Sequence, residues 1–293
     1  MADVEIDVSL VRALLEDQHP DLAHLTLTEV RGGWDNRVFR LGEHWLVRVP
    51  RRAPSAPLLE HEQRWLPELA ARLPLPVPVP LRIGRPGHGF PWSWSVVPWL
   101  DGEPLLRAAP ERPVRTAIEL AAFLRALHQP APAGAPLNPW RGVPLSARAP
   151  ILQSHLDQLG PAVDRAAVLA FWRRVVATPE WSAPPVWIHG DLHPGNVLLA
   201  EGRLSAVIDF GDLSLGDPAT DFAIGWMVTP TFRRALREAA RDRPNPLDDD
   251  TWARARGWAV ALGLAYMAGS ADGDPMIALG RAAIDAAIGD QKT

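Results

Sequence analysis

The sequence predicts an α+β fold with a β-rich first part and a mainly helical second part. Three observations support this prediction. Short apolar runs separated by turn residues fill most of the first hundred residues, whereas amphipathic helical patterns dominate from Glu111 onward. Within the helical part, a short apolar strand at 186–188 and a hairpin built from 197–199 and 204–208 interrupt the pattern.

Each element follows from its periodicity and from the breakers at its ends. In the first part the predicted elements are a helix at 7–18, strands at 26–30, 37–41 and 45–49, a helix at 58–72, and strands at 81–83 and 94–97. In the second part the predicted helices are 112–128, 161–177, 218–228, 231–240, 250–268 and 275–289. The segment 129–147 is rich in Pro and Gly, so it is predicted to be a loop.

The composition is that of a globular protein and excludes several classes of function. The chain has 293 residues, 47% of them hydrophobic, and no apolar run long enough for a membrane helix. Its acidic N-terminus lacks the layout of a signal peptide, so we expect a cytoplasmic protein without a membrane partner. The net charge of −4 gives no basic footprint for nucleic acid.

Missing residue types narrow the chemistry further. The chain contains no Cys, which excludes disulfides, thiolate metal sites and Cys nucleophiles. Its single Lys is Lys292, next to the C-terminal residue. A Walker A phosphate loop and a Schiff-base enzyme each need an internal Lys, so both are excluded.

Two polar segments flank the predicted hairpin. His189-Gly190-Asp191-Leu192-His193-Pro194-Gly195-Asn196 precedes it, and Asp209-Phe210-Gly211-Asp212 follows it. The hairpin is expected to bring Asn196 and Asp209 together, with Asp191 facing the same space. Carboxylate and amide oxygens with open positions suit Mg²⁺, and phosphoryl transfer needs a metal clamp and an acid that orients a hydroxyl.

These motifs resemble those of a known family. HGDLHPGN is similar to the catalytic loop H-x-D-x-x-x-x-N of kinase-like folds, and IDFGD is similar to the metal-binding D-F-G. Together with GGWDNRVFRL, WLVRVP, WSVVPWLDGE and GDPATD, they resemble the aminoglycoside phosphotransferase family over roughly residues 25–270. The resemblance implies a protein-kinase-like bilobal fold, with a nucleotide-binding lobe at 1–97, a hinge at 98–104 and a catalytic and substrate-binding lobe at 105–293.

The resemblance also implies roles for individual residues. Asp191 would be the catalytic base, and Asn196 and Asp209 would be the Mg²⁺ ligands. Arg48 stands where kinases place a phosphate-binding Lys, a departure that keeps the charge but changes its geometry. Gly33 and Asn36 would belong to the loop that covers the phosphates, although this segment is not G-x-G-x-x-G and a plain tight turn is the alternative.

A partner for Arg48 follows from the helical pattern at 58–69 without reference to the family. On a 100° wheel, Glu62 lies at the centre of the apolar stripe, whereas Glu60 lies on the opposite face. A carboxylate inside a buried stripe is costly unless it is paired. The sequence therefore predicts an ion pair between Arg48 and Glu62, which matches the strand–helix pair of kinases.

By the same resemblance, the connector after Val97 would hold the base of the nucleotide. With Val97 as gatekeeper, Pro98 would supply a carbonyl and Leu100 an N–H, so the N–H that proline lacks is not needed. His189 is predicted to fix the catalytic loop through hydrogen bonds. Asp217 resembles the acid that braces this loop, with a simple helix N-cap as the alternative, and the same two readings apply to Asp221.

The sequence thus favours an O-phosphotransferase that uses ATP or GTP with Mg²⁺ to modify a hydroxyl of a small molecule, and the resemblance implies an antibiotic of the aminoglycoside or macrolide type. A metabolite kinase of the same fold and a nucleotide-binding protein without turnover are the alternatives. A metal oxygenase would need a distal His, and only His193 follows Asp191. A protein kinase is disfavoured because Gly190 replaces the Arg that holds a phosphorylated loop. The modest acidity of the chain indicates a substrate less cationic than a typical aminoglycoside, bound by the helices after Asp217.

Overall fold

The computed structural model describes residues 5–30, 34–241 and 247–290. The chain forms two compact units, which are residues 1–102 with 205–213 and residues 103–204 with 214–293. Within the described ranges, every helix is too short or too polar to cross a membrane.

The first unit is built around an antiparallel sheet. Its elements are α1 (Val8–Gln18), β1 (Leu27–Val30), β2 (Asn36–Leu41), β3 (Trp45–Pro50), α2 (Ala56–Ala70), β4 (Arg82–Gly84) and β5 (Trp94–Pro98). The sheet order is β1-β2-β3-β5-β4. The alternation of side chains along the strands buries Phe39, Val47 and Val96 in one cluster, against which α1 packs Leu14.

Helix α2 carries Glu62, the acid that the sequence predicts as the partner of Arg48. Its buried stripe contains Leu59, Leu66 and Leu69, and Glu62 lies within that stripe with no exposed surface. The helix begins after Ser55, with a Pro in its first turn, where the missing N–H has no cost. The pattern of one buried carboxylate among leucines is the one that the helical wheel predicts.

The second unit is mainly helical. Its elements are β6 (Glu103–Pro104), α3 (Pro113–Leu127), α4 (Ala149–Leu159), α5 (Arg165–Val176), β7 (Val186–Ile188), β8 (Val197–Ala200), β9 (Arg203–Val207), β10 (Ser214–Gly216), α6 (Ala219–Phe222), α7 (Pro230–Arg241), α8 (Asp249–Gly269) and α9 (Pro275–Gly289). Strand β9 carries the chain from this unit into the 205–213 segment of the first. A two-residue turn joins β8 to β9, and both Glu201 and Gly202 have positive φ, as a type I′ hairpin turn requires.

Helix α8 is the centre of the second unit. It is buried on most of its circumference, and Trp258, Leu262 and Leu264 on it have no exposed surface. It packs closely against α9 where Gly263 meets Gly280. Only glycine fits at these two positions, because a Cβ at either one would lie within 2.7 Å of the other's carbonyl oxygen. A helix that is buried on most sides is typical of the core of a domain.

The α+β class is confirmed, and two local differences have physical reasons. The sequence did not predict α4, because its buried residues reduce to Leu152 and Leu156, a stripe too narrow to stand out after a Pro-rich loop. The predicted helix at 218–228 is a single α turn, α6, followed by a 3₁₀ turn at Ala223–Trp226. Five of the six tryptophans from position 172 onward are buried in the core: Trp172, Trp187, Trp226, Trp252 and Trp258.

Candidate active site

In the first unit, a buried arginine is held between two carboxylates. Arg48 lies on β3, and its guanidinium donates to Oε1 of Glu62 and, at 3.2 Å, to Oδ1 of Asp209. Both Arg48 and Glu62 are buried, so the predicted ion pair is present and shielded from water. Burial alone would lower the pKa of Arg48, but the two carboxylates outweigh it and raise that pKa.

The contrast with the neighbouring acid supports the helical-wheel argument. Glu60, two residues earlier on α2, is exposed, and its carboxylate accepts one long hydrogen bond, 3.4 Å, from Ser93 Oγ. Only Glu62 lies on the face of α2 that meets the sheet. The helical period therefore decides which of the two acids can reach Arg48.

Asp209 differs from Glu62 because its side chain is 53% exposed. It follows β9, and its φ of 63° places a non-glycine residue in the left-handed region. Such strain is worth about 1–3 kcal/mol and clusters at functional sites. One of its carboxylate oxygens contacts Arg48 while much of the side chain remains open to solvent, as a metal ligand requires.

At the end of β5, the backbone carbonyl of Pro98 points away from strand β3. Trp99 N–H donates to His44 C=O at 2.7 Å, one residue past the pairing of Pro98 with Trp45. Bonded and non-bonded pairs alternate in an antiparallel ladder, so the Pro98 carbonyl points away from β3. The N–H of Leu100 has the same parity and is expected to point to the same side.

The opposite side of β5 is covered for only part of its length. Strand β4 reaches as far as the level of Val96, whose carbonyl accepts from Leu81 N–H at 2.8 Å. The carbonyl of Pro98 lies two residues beyond that point. Val97, between them, is buried and pairs with Leu46. The Pro98 carbonyl is therefore on the side of β5 that β4 leaves unpaired at this level, and the roles of Pro98 and Leu100 toward a nucleotide base stay predictions.

The sequence predicts that Gly33 and Asn36 cover the phosphates, and the structure describes Asn36. Gly33 lies outside the described residues. Asn36 begins β2 and is buried, and its Oδ1 has no hydrogen-bond partner in the described part of the chain. Asp35, beside it, is held in place because its carboxylate accepts from Ser55 Oγ at 2.8 Å and from Arg52 at 3.1 Å.

In the second unit, Asp191 lies in the loop 189–196 between β7 and β8, and donors surround its carboxylate. Tyr266 of α8 donates its hydroxyl to Oδ1 at 3.0 Å, and Arg141 approaches the same oxygen at 3.4 Å. His193 Nε2 lies 3.6 Å from Oδ2. Gly195 N–H donates to Nδ1 of that ring, so the proton of the neutral imidazole is on Nε2, facing Asp191.

These neighbours set the charge state of Asp191. Burial would raise the pKa of its carboxyl group, but Arg141, His193, His189 and the Tyr266 hydroxyl together hold that pKa below its ordinary value. Asp191 is therefore ionised at neutral pH. An ionised carboxylate that is 24% exposed can accept a hydrogen bond from an incoming hydroxyl.

Asn196 closes the same loop in a 3₁₀ turn at Pro194–Asn196. Its Nδ2 donates to the backbone carbonyl of Asp191 at 3.0 Å. The amide nitrogen is thus committed to the loop, and the amide oxygen is the atom that could bind a metal. Sequence reasoning predicted Asn196 as a ligand, and the structure adds that the same side chain fixes the backbone at Asp191.

The acid that holds the loop 189–196 is Asp221 of α6. It is fully buried and accepts hydrogen bonds from His189 N–H at 2.8 Å and Gly190 N–H at 2.9 Å, and it lies 2.9 Å from His128 Nε2. His189 is buried, and its Nδ1 accepts from Asp191 N–H at 3.3 Å. The start of the loop is therefore held twice: the backbone of His189 binds Asp221, and the side chain of His189 binds the backbone of Asp191.

Asp217, which the sequence also marked for this bracing, has different partners. Its carboxylate accepts from Ala219 N–H at 3.0 Å and from Arg254 Nε at 2.6 Å. Arg254 is itself buried and also donates to Thr251 Oγ1 at 3.0 Å. Asp217 thus ties the start of α6 to α8, while Asp221 reaches the loop.

Asp209 in the first unit and Asn196 in the second unit each have an oxygen of the kind that Mg²⁺ prefers. Among the described residues, no three His, Cys, Asp or Glu side chains gather closely enough to form a metal cage. Mg²⁺ is usually bound by one or two carboxylates together with waters and substrate phosphates. The carboxylate of Asp209 and the amide oxygen of Asn196 are oxygen ligands of that kind.

Comparison with known proteins agrees with this geometry. The chain is similar to the GDP complex of aminoglycoside 2'-phosphotransferase-IIIa, with 20% identity and a TM-score of 0.75 over 96% of this chain and 99% of that one. It is also similar to macrolide 2'-phosphotransferase MphH from Brachybacterium faecium, with 24% identity and a TM-score of 0.61 over 98% and 99%. These likenesses confirm the kinase-like fold.

No match was found among curated proteins. The family described as the phosphotransferase enzyme family matches residues 26–258, which is most of the chain and includes Arg48, Glu62, Asp191, Asn196 and Asp209. The chain therefore belongs to the phosphotransferase enzyme family, as its two catalytic motifs predict.

Proposed function

We propose that this protein transfers the γ-phosphoryl group of ATP or GTP to a hydroxyl of a small molecule, with Mg²⁺, and that the acceptor is an antibiotic of the aminoglycoside or macrolide type. The observation that carries this proposal is Asp191, an ionised carboxylate fixed in the loop 189–196 by contacts with Arg141, Tyr266 and His193. Solved relatives in complex with GDP and with kanamycin support the nucleotide and the class of acceptor.

The proposed roles divide among three segments of the chain. Residues 1–97 bind the nucleotide, residues 98–104 form a hinge, and residues 105–293 carry catalysis and the acceptor. Pro98 accepts from the base of the nucleotide and Leu100 donates to it, while Val97 packs beside it. Arg48, held by Glu62, neutralises phosphate oxygens, and the loop containing Gly33 and Asn36 covers them.

The reaction is a displacement at phosphorus. Asp191 accepts the proton of the acceptor hydroxyl as its oxygen forms a bond to the γ-phosphorus, and the bond from that phosphorus to the bridging oxygen of the diphosphate breaks. The nucleoside diphosphate leaves. A bound Mg²⁺, held by Asn196 and Asp209, would supply positive charge to the phosphates.

This reaction requires that the carboxylate of Asp191 is held in a fixed position. The transition state is loose, so positioning and electrostatics supply most of the rate enhancement. Asp221, His189 and Asn196 fix the backbone of the loop, and Tyr266 fixes the side chain. Asp217 supports the loop indirectly through the start of α6.

The test is release of ADP or GDP over a panel of hydroxylated acceptors, with and without Mg²⁺. Acceptor-dependent release that requires Mg²⁺ is expected, and Asp191→Asn should lower its rate by about two to four orders of magnitude. Nucleotide binding without acceptor-dependent release would instead favour a binding protein. A metabolite kinase of this fold would use the same residues, and its substrate would be found among the metabolites of the panel rather than among the antibiotics.

A further inference from the structure

Three contacts from different parts of the first unit hold Trp99, the first residue after β5. Its N–H donates to His44 C=O at 2.7 Å. Its indole Nε1 donates to Asp101 Oδ1 at 2.8 Å, and Arg40 lies over the ring, with Cζ 3.7 Å from the ring centroid. The backbone, the edge and the face of this tryptophan therefore each have a partner.

Arg40 is itself fixed by the turn between β2 and β3. Its Nε donates to Gly42 C=O at 3.1 Å, and its Nη2 donates to Glu43 C=O. Cross-strand pairing through β3 places Arg40 and Val97 on the same face of the sheet. Trp99 follows Val97 by two residues and has the same parity, so its ring meets the guanidinium on that face.

The two groups predicted to meet a nucleotide base belong to the peptide units on either side of Trp99. The Pro98 carbonyl shares a planar unit with Trp99 N–H, so the hydrogen bond to His44 C=O sets its direction. The N–H of Leu100 belongs to the next unit. Among the described residues, no backbone carbonyl accepts from this N–H. The chain thus presents an acceptor followed by a donor.

Adenine and guanine carry opposite patterns on the edge that such a pair would meet. Adenine has a donor at N6 and an acceptor at N1, whereas guanine has an acceptor at O6 and a donor at N1. A carbonyl followed by an N–H is complementary to adenine. Guanine in the same position would place acceptor against acceptor and donor against donor, and both pairs would stay unsatisfied unless the backbone rotated.

We propose that Arg40, Trp99 and Asp101 form a hinge lock that preserves this order of acceptor and donor, and that the order selects ATP over GTP. The inference deepens the proposed function and rests on it. A rotation of the peptide units that suited guanine would break the contacts of Trp99 with its three partners. Trp99 is therefore a positioning residue, because it acts through Pro98 and Leu100.

Two substitutions loosen the hinge lock from different sides. Arg40→Gln removes the guanidinium over the ring, whereas Trp99→Phe keeps a ring beneath Arg40 and removes the donor to Asp101. Arg64→Gln is the matched control. Arg64 also lies over a tryptophan, with Cζ 4.7 Å from the ring centroid of Trp65, but it does so on the exposed side of α2.

The experiment measures the Kd of Mg-ATP, Mg-GTP and Mg-ITP for the full chain by isothermal titration calorimetry. The quantity of interest is the ratio of the Kd of GTP to that of ATP, because the phosphates and the ribose are common to both. ITP has the O6 and N1–H of guanine without its 2-amino group. Thermal unfolding and acceptor-dependent release of ADP are measured on the same preparations.

We expect the wild type to bind ATP about a hundredfold more tightly than GTP, with ITP bound as weakly as GTP, because two hydrogen bonds change sense. Arg40→Gln and Trp99→Phe should each weaken ATP binding about fivefold and lower the ratio to about tenfold, since a stacked cation or an indole donor is lost. Arg64→Gln should leave both quantities unchanged.

Four results would overturn the inference. A wild-type ratio within threefold of one, or no nucleotide binding at all, would remove the selection of adenine. ITP binding as tightly as ATP would assign the selection to the 2-amino group. A ratio in both variants equal to that of the wild type would remove the hinge lock. Selective ATP binding without ADP release for any acceptor would instead refute the proposed transfer and leave the selection of adenine supported, so the two failures are distinguishable.

Discussion

Removing the charge of Glu62 tests whether its buried ion pair with Arg48 stabilises the first unit. In Glu62→Gln the side chain keeps its volume, but the buried guanidinium of Arg48 loses its closest counter-charge. Breaking a buried ion pair at one partner costs about 3–5 kcal/mol of unfolding free energy. Asp209, at 3.2 Å, remains as a second counter-charge, and because its side chain is 53% exposed its contribution is screened to about 1 kcal/mol.

We therefore expect Glu62→Gln to lower the unfolding free energy by about 2–4 kcal/mol. Activity should fall as well, since Arg48 is proposed to contact the phosphates and its position depends on Glu62. The effect on activity should be a raised KM for the nucleotide, because the charge would remain but would no longer be held in one place.

The measurement is urea unfolding followed by tryptophan fluorescence, with nucleotide titration of the same preparations. Glu60→Gln is the matched control, since it makes the same chemical change two residues away on the exposed face of α2. It should leave both stability and KM close to the wild type. If Glu62→Gln unfolds at the same urea concentration as Glu60→Gln, the argument from the buried stripe is wrong.

Three further substitutions test the loops. Asp191→Asn should cut turnover by about two to four orders of magnitude with nucleotide binding retained, and full activity in this variant would remove its role as base. Asp209→Asn should weaken nucleotide binding only when Mg²⁺ is present, whereas an equal loss without Mg²⁺ would make Asp209 structural. Asp221→Asn should lower the unfolding free energy by about 2–4 kcal/mol, because His189 N–H and Gly190 N–H donate to different carboxylate oxygens and an amide keeps only one of these acceptors. An unchanged thermal midpoint would contradict this.

Where the sequence predicted the site well, the relevant interaction is local or repeats a regular period. Arg48 and Glu62 are 14 residues apart, on a strand and on the next long helix, and the helical period alone places Glu62 inward and Glu60 outward. The hairpin of β8 and β9 follows from two short apolar runs around Glu201-Gly202. In both cases the signal lies within one or two elements.

The contacts that the sequence did not reveal join distant segments. Tyr266 is 75 residues from Asp191, and Arg141 is 50 residues from it on the other side, within a segment predicted only as a loop. Neither residue carries a local signal of function. Tyr266 could have been singled out as the only tyrosine of the chain, but composition does not say what its hydroxyl contacts.

The motif GDPATD contains two acids, and the sequence alone does not decide which of them binds the loop 189–196. Asp217 and Asp221 are one helical turn apart at the start of α6, so both are plausible braces. Asp217 stands before the helix and faces Arg254 of α8. Asp221 lies inside the helix and is directed at the loop 189–196. That choice depends on which neighbour packs on each side, which the sequence does not specify.

Helix α8 links these contacts into one support for Asp191. Tyr266, near its end, binds the carboxylate directly, and Arg254, near its start, binds Asp217. The two residues are 12 positions apart, which is about 18 Å along the helix axis. Through Asp217 the helix fixes the start of α6, and Asp221 of α6 fixes the backbone of the loop 189–196. The side chain and the backbone of the proposed base are thus both positioned by the same buried helix, so precision at Asp191 depends on the packing of α8.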